Sequence, residues 1–174
     1  MNWTQMLNDE VGNAYGVAEK LIDRVDDKSL GWKPATGKNW MTTGQLLMHM
    51  TGSCGAACKG FVTGDWGMPE GVDMSEMSME DMLPPAEKLP SIGSVAEAKK
   101  LLAADKKLAL EMIAKAGEKK LATAPAPAPW DPREINLGQR LMNMIHHLTS
   151  HKSQLFYYLK LQGQPVNTGH LWGM

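Results

Sequence analysis

Three of the five histidines in this 174-residue chain lie between Ile145 and Leu155. His147 and His151 are four residues apart in a stretch whose apolar residues recur at helical spacing, so they share one helix face, one turn apart. His146 is rotated by about 100° from His147 and cannot easily join them. Two imidazoles one turn apart can bind the same zinc or similar ion. The spacing therefore predicts two metal ligands on one helix.

A divalent ion needs a third ligand, and the remaining histidines are His49 and His170. His49 lies among apolar residues of another predicted helix, where a buried neutral imidazole needs a hydrogen-bond partner or a metal. Three neutral histidines leave coordination positions for water or substrate, which is typical of catalytic sites. We therefore predict that His49, His147 and His151 bind the metal. Purely structural histidines, with no metal bound, remain an alternative.

Other metal motifs fit the sequence less well. On one continuous helix, Cys54 and Cys58 would lie about 140° and 180° from His49, so we interpret both as packing residues. A separate site with His170 remains an alternative. The zinc-protease motif His-Glu-x-x-His is absent because Leu148 occupies the position of its glutamate. None of the histidines follows a glutamate by three residues, as a ferritin-like di-iron site requires.

Composition excludes several classes of protein. The net charge is −1, with 43% hydrophobic and 21% charged residues, which is ordinary for one globular domain over residues 1–174. Because there is no basic excess, nucleic acid is not an expected partner. No apolar run reaches the ~18 residues of a membrane helix. Residues 1–10 lack the apolar stretch of a signal peptide, and two cysteines make no disulfide framework. We expect a cytoplasmic protein.

Helical periodicity marks four segments. They cover residues 3–25, 43–62, 95–116 and 137–162. Thr42 or Thr43 is a plausible N-cap of the second segment, and Gly117 a plausible end of the third. A long methionine-rich loop, including residues 68–82, separates segments two and three. We expect its methionines to cover an apolar patch or a dimer contact rather than to bind Cu(I). With no convincing strand, the pattern predicts an all-α four-helix bundle.

Four stretches of the chain carry a resemblance to a known family. They are Trp32-Lys33-Pro34, Leu46-Leu47-Met48-His49-Met50, His147-Leu148-Thr149-Ser150-His151-Lys152-Ser153-Gln154 and Leu159-Lys160-Leu161-Gln162-Gly163-Gln164-Pro165-Val166. Together they resemble the DinB-like family of metalloenzymes, which includes the bacillithiol transferases and, more distantly, mycothiol-dependent isomerases. The resemblance implies an up-down-down-up bundle, commonly a homodimer, with the three histidines binding Zn²⁺ or Ni²⁺. Lys152-Ser153-Gln154 departs from the Arg-Gly-Gln that the family often has there.

The implied chemistry is that of a Lewis acid, which lowers the pKa of a bound water or of a low-molecular-weight thiol. No Asp or Glu lies within one turn of the three histidines, so a general base for hydrolysis is lacking. We therefore favour transfer of a thiol to a small-molecule electrophile over hydrolysis. The alternative is a non-catalytic, stress-associated bundle that binds a metal or small ligand.

Four further residues are candidates for binding substrate or supporting a ligand. Gln154 and Tyr158 follow His151 at intervals of about one turn, and Gln45 and Ser53 bracket His49. An interhelix hydrogen bond is an equally good interpretation of Gln154. Packing in the core is the better interpretation of Tyr158, and a packed or solvated position is the better one for Gln45 and Ser53.

Overall fold

The computed structural model describes residues 2–68, 77–78, 82, 84–128, 130–131 and 133–174. Over these residues the regular structure is helical, apart from two isolated β-bridges. The helices are α1 (Trp3–Ile22), α2 (Thr43–Met50), α3 (Gly55–Thr63), α4 (Val95–Thr123), α5 (Leu137–Leu161) and α6 (Thr168–Trp172), with 3₁₀ turns at Asp27–Ser29 and Ala86–Lys88. The predicted all-α class is confirmed. None of the described helices is both long and apolar enough to cross a membrane.

The helices that carry the histidines begin at capping boxes. Thr42 accepts a hydrogen bond from the backbone N–H of Gln45, whose side chain accepts one from the Thr42 N–H. Asn136 and Gln139 form the same reciprocal pair at the start of α5. Each box satisfies backbone donors that have no partner inside the helix. The starts of α2 and α5 therefore follow local signals in the sequence.

The prediction of one continuous helix over residues 43–62 is wrong. The chain leaves the helix after Met50 and re-enters it at Gly55, so two helices, α2 and α3, replace one. The carboxylate of Asp105, on α4, accepts hydrogen bonds from the backbone N–H groups of Gly55 and Ala56, both at 2.9 Å. A side chain at position 55 would collide with the backbone oxygen of Asp105. The break therefore depends on a buried contact with a residue fifty positions away.

Cys54 and Cys58 flank the start of α3 as fully buried free thiols. Their interpretation as packing residues is confirmed. The angles derived for one continuous helix do not apply, however, because His49 lies on a different helix from Cys58.

Gly117 marks the predicted end of the third helical segment, and its φ of +69° interrupts the helix there. The prediction that the helix ends at this point needs correction, because helical structure resumes and continues to Thr123. The Glu118 carboxylate accepts hydrogen bonds from the backbone N–H groups of Trp3 and Thr4, each at 3.0 Å. The turn at Gly117 therefore precedes a side chain that caps α1.

The segment before α5 forms two isolated β-bridges, between Pro125 and Asn136 and between Ala128 and Asp131. Its Ala126 N–H donates to the carbonyl of Ile135, 3.0 Å away. The guanidinium of Arg140, buried on α5, donates to the Ala126 carbonyl at 2.9 Å and to the Asp131 carboxylate at 2.6 Å. These contacts fix the first turns of α5, two turns before His147.

The core joins the helices that present the histidines. Buried side chains from α1, α2, α4 and α5 form one cluster, which includes Leu7, Leu21, Leu46, Leu47, Ile113, Leu141, Leu148 and Leu155. Leu148 directly follows His147, and Leu47 lies two residues before His49. Because both leucines belong to this cluster, α2 and α5 are held face to face at the site. We expected the methionines of the loop at residues 68–82 to cover an apolar patch or a dimer contact. Apart from Met68, Met77, Ser78 and Met82, these residues lie outside the described ranges.

Candidate metal centre

The three predicted histidines meet at one point between α2 and α5. The Nε2 atom of His147 lies 3.2 Å from Nε2 of His49 and 2.9 Å from Nε2 of His151. One ring nitrogen of each residue lies within 4.8 Å of the other two. Across the described residues, no other group of three His, Cys, Asp or Glu side chains converges in this way. The three histidines could therefore hold a metal ion.

His170 does not take part in this cluster or in a site with the cysteines. Its Nδ1 atom lies 2.8 Å from the Asn167 side-chain oxygen at the start of α6. The alternative site of two cysteines and His170 is thus not formed in the part of the chain that the structure describes.

Two of the three separations between the ligand nitrogens match what a bound ion requires. With metal–nitrogen bonds of about 2.0–2.1 Å, two ligand nitrogens lie about 2.9 Å apart at octahedral angles and about 3.4 Å apart at tetrahedral angles. The two measured separations, 2.9 and 3.2 Å, fall in this range. Hydrogen bonds alone satisfy the cluster poorly, because the single lone pair or proton on a neutral Nε2 of His147 can serve only one neighbour. The set of donors therefore fits a cation.

The environment keeps these imidazoles neutral. Burial lowers the pKa of His49 to about 4, and the nearby His151 and His147 act in the same direction. Burial also lowers the pKa of His147, as does His151. It lowers the pKa of His151 as well, although the hydrogen bond to Gln154 opposes that shift. Neutral rings offer the lone pairs that a metal ligand needs.

Gln154 fixes the tautomer of His151. Its Oε1 atom lies 3.0 Å from Nδ1 of His151, its Nε2 donates to the Tyr158 hydroxyl at 3.1 Å, and that hydroxyl donates to the Met41 carbonyl at 2.9 Å. Because the carbonyl end of an amide only accepts, the ring proton lies on Nδ1 and leaves the Nε2 lone pair free. Metal-binding histidines typically donate their second N–H in this way.

Tyr158 is 2% exposed, so the interpretation of this residue as part of the core is confirmed. Its ring packs edge-on against Trp32 and Trp40, with centroids 5.2 and 6.2 Å away. The hydrogen bond to Gln154 adds a supporting role to the packing. Tyr158 therefore acts on the cluster through Gln154 and not by direct contact.

Gln45 and Ser53 lie beside His49, but their side chains already have partners. Gln45 caps α2 and donates to the Leu89 carbonyl at 2.8 Å. The Ser53 hydroxyl donates to the Met50 carbonyl at 3.3 Å, and a hydrogen bond with the Ser53 backbone raises the pKa of His147. Both residues support the site, and both line a cavity of about 230 Å³ next to His49.

Sequence reasoning missed three contributors to this region. Leu89 and Pro90 form a wall of the cavity, and the Met41 carbonyl ends the chain of hydrogen bonds from His151. Leu89 and Pro90 lie within a long stretch of sequence without periodicity, and a backbone carbonyl has no signature in the sequence. Only the N-cap predicted at Thr42 or Thr43, directly after Met41, pointed to this part of the chain.

The fold and the site define a helical protein with a three-histidine cluster that could hold a metal ion. The family sequence model of the DinB superfamily matches residues 13–155, a span that includes all three histidines. The chain therefore belongs to the DinB superfamily. Comparisons with curated proteins and with solved structures give no match.

The lowered pKa of His49 predicts a pH-dependent stability of the metal-free protein. A value of about 4 in the folded state, against an ordinary 6.5, means that the unfolded chain binds this proton more readily. The stability that the neutral His49 ring contributes is fully present above pH 6.5 and is lost as the pH falls towards 4. With allowance for partial exposure, we expect the free energy of unfolding to fall by about 2 kcal/mol through this group. Urea denaturation at several pH values measures the free energy of unfolding.

The His49→Gln variant isolates this contribution, because carboxylates elsewhere also titrate over the lower part of the range. Its stability should depend less on pH than that of the parent. The His146→Gln variant, which alters an exposed ring on the same helix as His147, should match the parent. If the free energy of unfolding changed equally with pH in the parent and in His49→Gln, the prediction would be contradicted.

Proposed function

We propose that the protein is a metal-dependent thiol S-transferase in which His49, His147 and His151 bind Zn²⁺ or Ni²⁺. The observation that carries the proposal is the convergence of three Nε2 atoms of partly buried, neutral imidazoles. Three ligands leave coordination positions open, as catalytic sites do. When bound, the ion supplies Lewis acidity, which lowers the pKa of a thiol so that thiolate is available at neutral pH.

The residues of the chain divide the remaining tasks. Gln154 holds the proton of His151 on Nδ1, and Tyr158 holds Gln154 in place. In the reaction a sulfur–carbon bond forms, the bond from carbon to the leaving group breaks, and the leaving group keeps its electron pair. The thiol proton passes to solvent, which reaches the three partly exposed rings.

The lining of the cavity favours thiol transfer over hydrolysis. Among the described residues that line the cavity beside His49 there is no Asp or Glu. Water needs a general base positioned within hydrogen-bond reach, whereas a thiol ionises far more easily. A thiol therefore demands less of these surroundings than water does.

The rest of the proposal draws on the resemblance and on the charge of the chain. We propose an up-down-down-up arrangement of four main helices, a homodimer, a cytoplasmic location and small-molecule substrates, among them a low-molecular-weight thiol. With a net charge of −1, nucleic acid is not a proposed partner, and neither is a membrane.

Metal binding is the first test. Metal-free protein titrated with Zn²⁺ or Ni²⁺ in a calorimeter should bind about one equivalent, since three neutral imidazoles converge once per chain. Alanine at position 49, 147 or 151 should lower the affinity by at least about 100-fold, because two ligands remain. The control, His146→Ala, should bind as the parent does. Less than about a tenth of an equivalent in the loaded parent protein would overturn the proposed site.

The supporting role of Gln154 predicts a smaller and separable effect. Gln154→Ala removes the acceptor for the His151 Nδ1–H, so the affinity for metal should fall by about 10–100-fold. Gln154→Glu keeps an acceptor for the His151 Nδ1–H but cannot donate to the Tyr158 hydroxyl, so it should lose less affinity than Gln154→Ala. Calorimetry measures both variants. If alanine and glutamate gave the same affinity, Gln154 would have no role in orienting His151.

Turnover tests the proposed reaction itself. Metal-loaded protein is assayed with bacillithiol, mycothiol, glutathione or coenzyme A and with chlorodinitrobenzene as the electrophile, and release of chloride is followed. We expect metal-dependent conjugation with at least one thiol and its loss in His147→Ala. The metal-free parent is the matched control. If loaded protein turned over none of these thiols, a non-catalytic, stress-associated binding protein would replace the enzyme.

A further inference from the structure

The cavity beside His49 is uncharged over its described lining. Its apolar wall consists of Met48, Leu89 and Pro90, and Gly52 contributes backbone. Its two polar neighbours, Gln45 and Ser53, already donate to backbone carbonyls. Burying apolar surface against such a wall is favourable by about 25 cal/mol per Å². The cavity therefore suits an apolar group.

A charged group would find no counter-ion in this lining. The nearest cation by sequence to the histidines is Lys152, whose ammonium donates to the Leu171 carbonyl at 3.0 Å and lies 5.8 Å from the centre of the Trp172 ring. Lys88 adjoins Leu89 in the sequence, but it is exposed and does not line the cavity. Desolvating an unpaired charge costs several kcal/mol. Carboxylates, phosphates and ammonium groups are therefore disfavoured here.

Size narrows the occupant further. The cavity volume of about 230 Å³ is below the ~300–1,000 Å³ of sites for drug-sized ligands. A single aromatic ring or a short alkyl chain fits this space better than a nucleotide or a peptide. His49 both lines the cavity and turns its Nε2 towards His147, so an occupant lies next to the proposed metal centre.

We propose that this cavity binds the uncharged, apolar part of the electrophile, and that the substrate class is small neutral organic electrophiles. The inference rests on the proposed function for the identity of the reaction. The preference of the cavity for neutral over charged groups stands on its lining alone. Failure of the one can therefore be distinguished from failure of the other.

Three probes of nearly equal size and different charge test the inference on metal-free protein. Benzyl alcohol, benzoate and benzylamine are titrated at about pH 7.5, where neutral imidazole predominates, and the NMR signals of the His49 ring are followed. Benzyl alcohol should bind at least tenfold more tightly than either charged probe. Signals of His146 serve as the internal control and should not move. Equal or tighter binding of a charged probe, or no binding of benzyl alcohol, would overturn the inference.

Variants that narrow the cavity establish where the probe binds. A Cβ added at Gly52 meets no atom within 4 Å, and the backbone there is not left-handed. Gly52→Val should therefore fold and should weaken binding of benzyl alcohol at least tenfold. Gly12→Val, at an equally open position on α1, is the matched control and should leave binding unchanged. Leu89→Trp narrows the same cavity from the other wall and should act in the same direction as Gly52→Val.

The outcomes separate the two proposals. If the protein bound benzyl alcohol tightly but took up neither Zn²⁺ nor Ni²⁺, the proposed preference of the cavity would stand and the proposed enzyme function would be ruled out. If the protein showed metal-dependent turnover but preferred benzoate or benzylamine, the proposed enzyme function would stand and the neutral substrate class would be ruled out. If Gly52→Val and Leu89→Trp both bind benzyl alcohol as the parent does, the probe lies elsewhere and the inference fails.

Discussion

The buried carboxylate of Asp105 sets the local geometry on which the histidine cluster depends. It accepts hydrogen bonds from the N–H groups of Gly55 and Ala56 and from the Tyr15 hydroxyl at 2.6 Å. Burial raises the pKa of Asp105, and these hydrogen bonds oppose the rise. The contacts start α3 next to α4 and leave residues 51–54 as a non-helical connector. From that connector the backbone of Ser53 reaches His147.

A second set of contacts places both ligand-bearing helices at once. The hydrogen bonds from His151 through Gln154 and Tyr158 end on the carbonyl of Met41, the residue before the N-cap of α2. The C-terminal half of α5 thus holds the start of the helix that carries His49. Because the same side chains orient His151 and anchor α2, the positions of the two helices are coupled. This coupling keeps the separations between nitrogens within the narrow range that a metal tolerates.

What could be predicted from the sequence was local. His147 and His151 follow from a four-residue spacing, and the caps at Thr42 and Asn136 follow from residues three apart. His49 was found by elimination among few histidines and by resemblance to a family. The break after Met50 could not be predicted, because its cause lies fifty residues away on α4.

The same limit applies at Gly117 and at the cavity. Gly117 was expected to end the helix, but helical structure resumes after it and continues to Thr123. This continuation accompanies the contacts of Glu118 with α1, which no local pattern encodes. The cavity wall at Leu89 depends on a hydrogen bond from Gln45, across more than forty residues. Tertiary contacts of this kind override helical propensity and leave no periodic trace.

The degree of burial at the cluster is a compromise between two requirements. Burial lowers the pKa of each ring and so keeps its lone pair available to a cation at neutral pH. Complete burial would close the positions through which a substrate must enter, whereas full exposure would remove the desolvation that disfavours protonation. The three rings are all partly exposed, and the uncharged cavity beside His49 gives access without supplying a counter-ion that would stabilise the imidazolium. An uncharged lining therefore serves the ligands as well as the occupant, since an acidic side chain there would raise the pKa of His49 and compete with the metal for the ring.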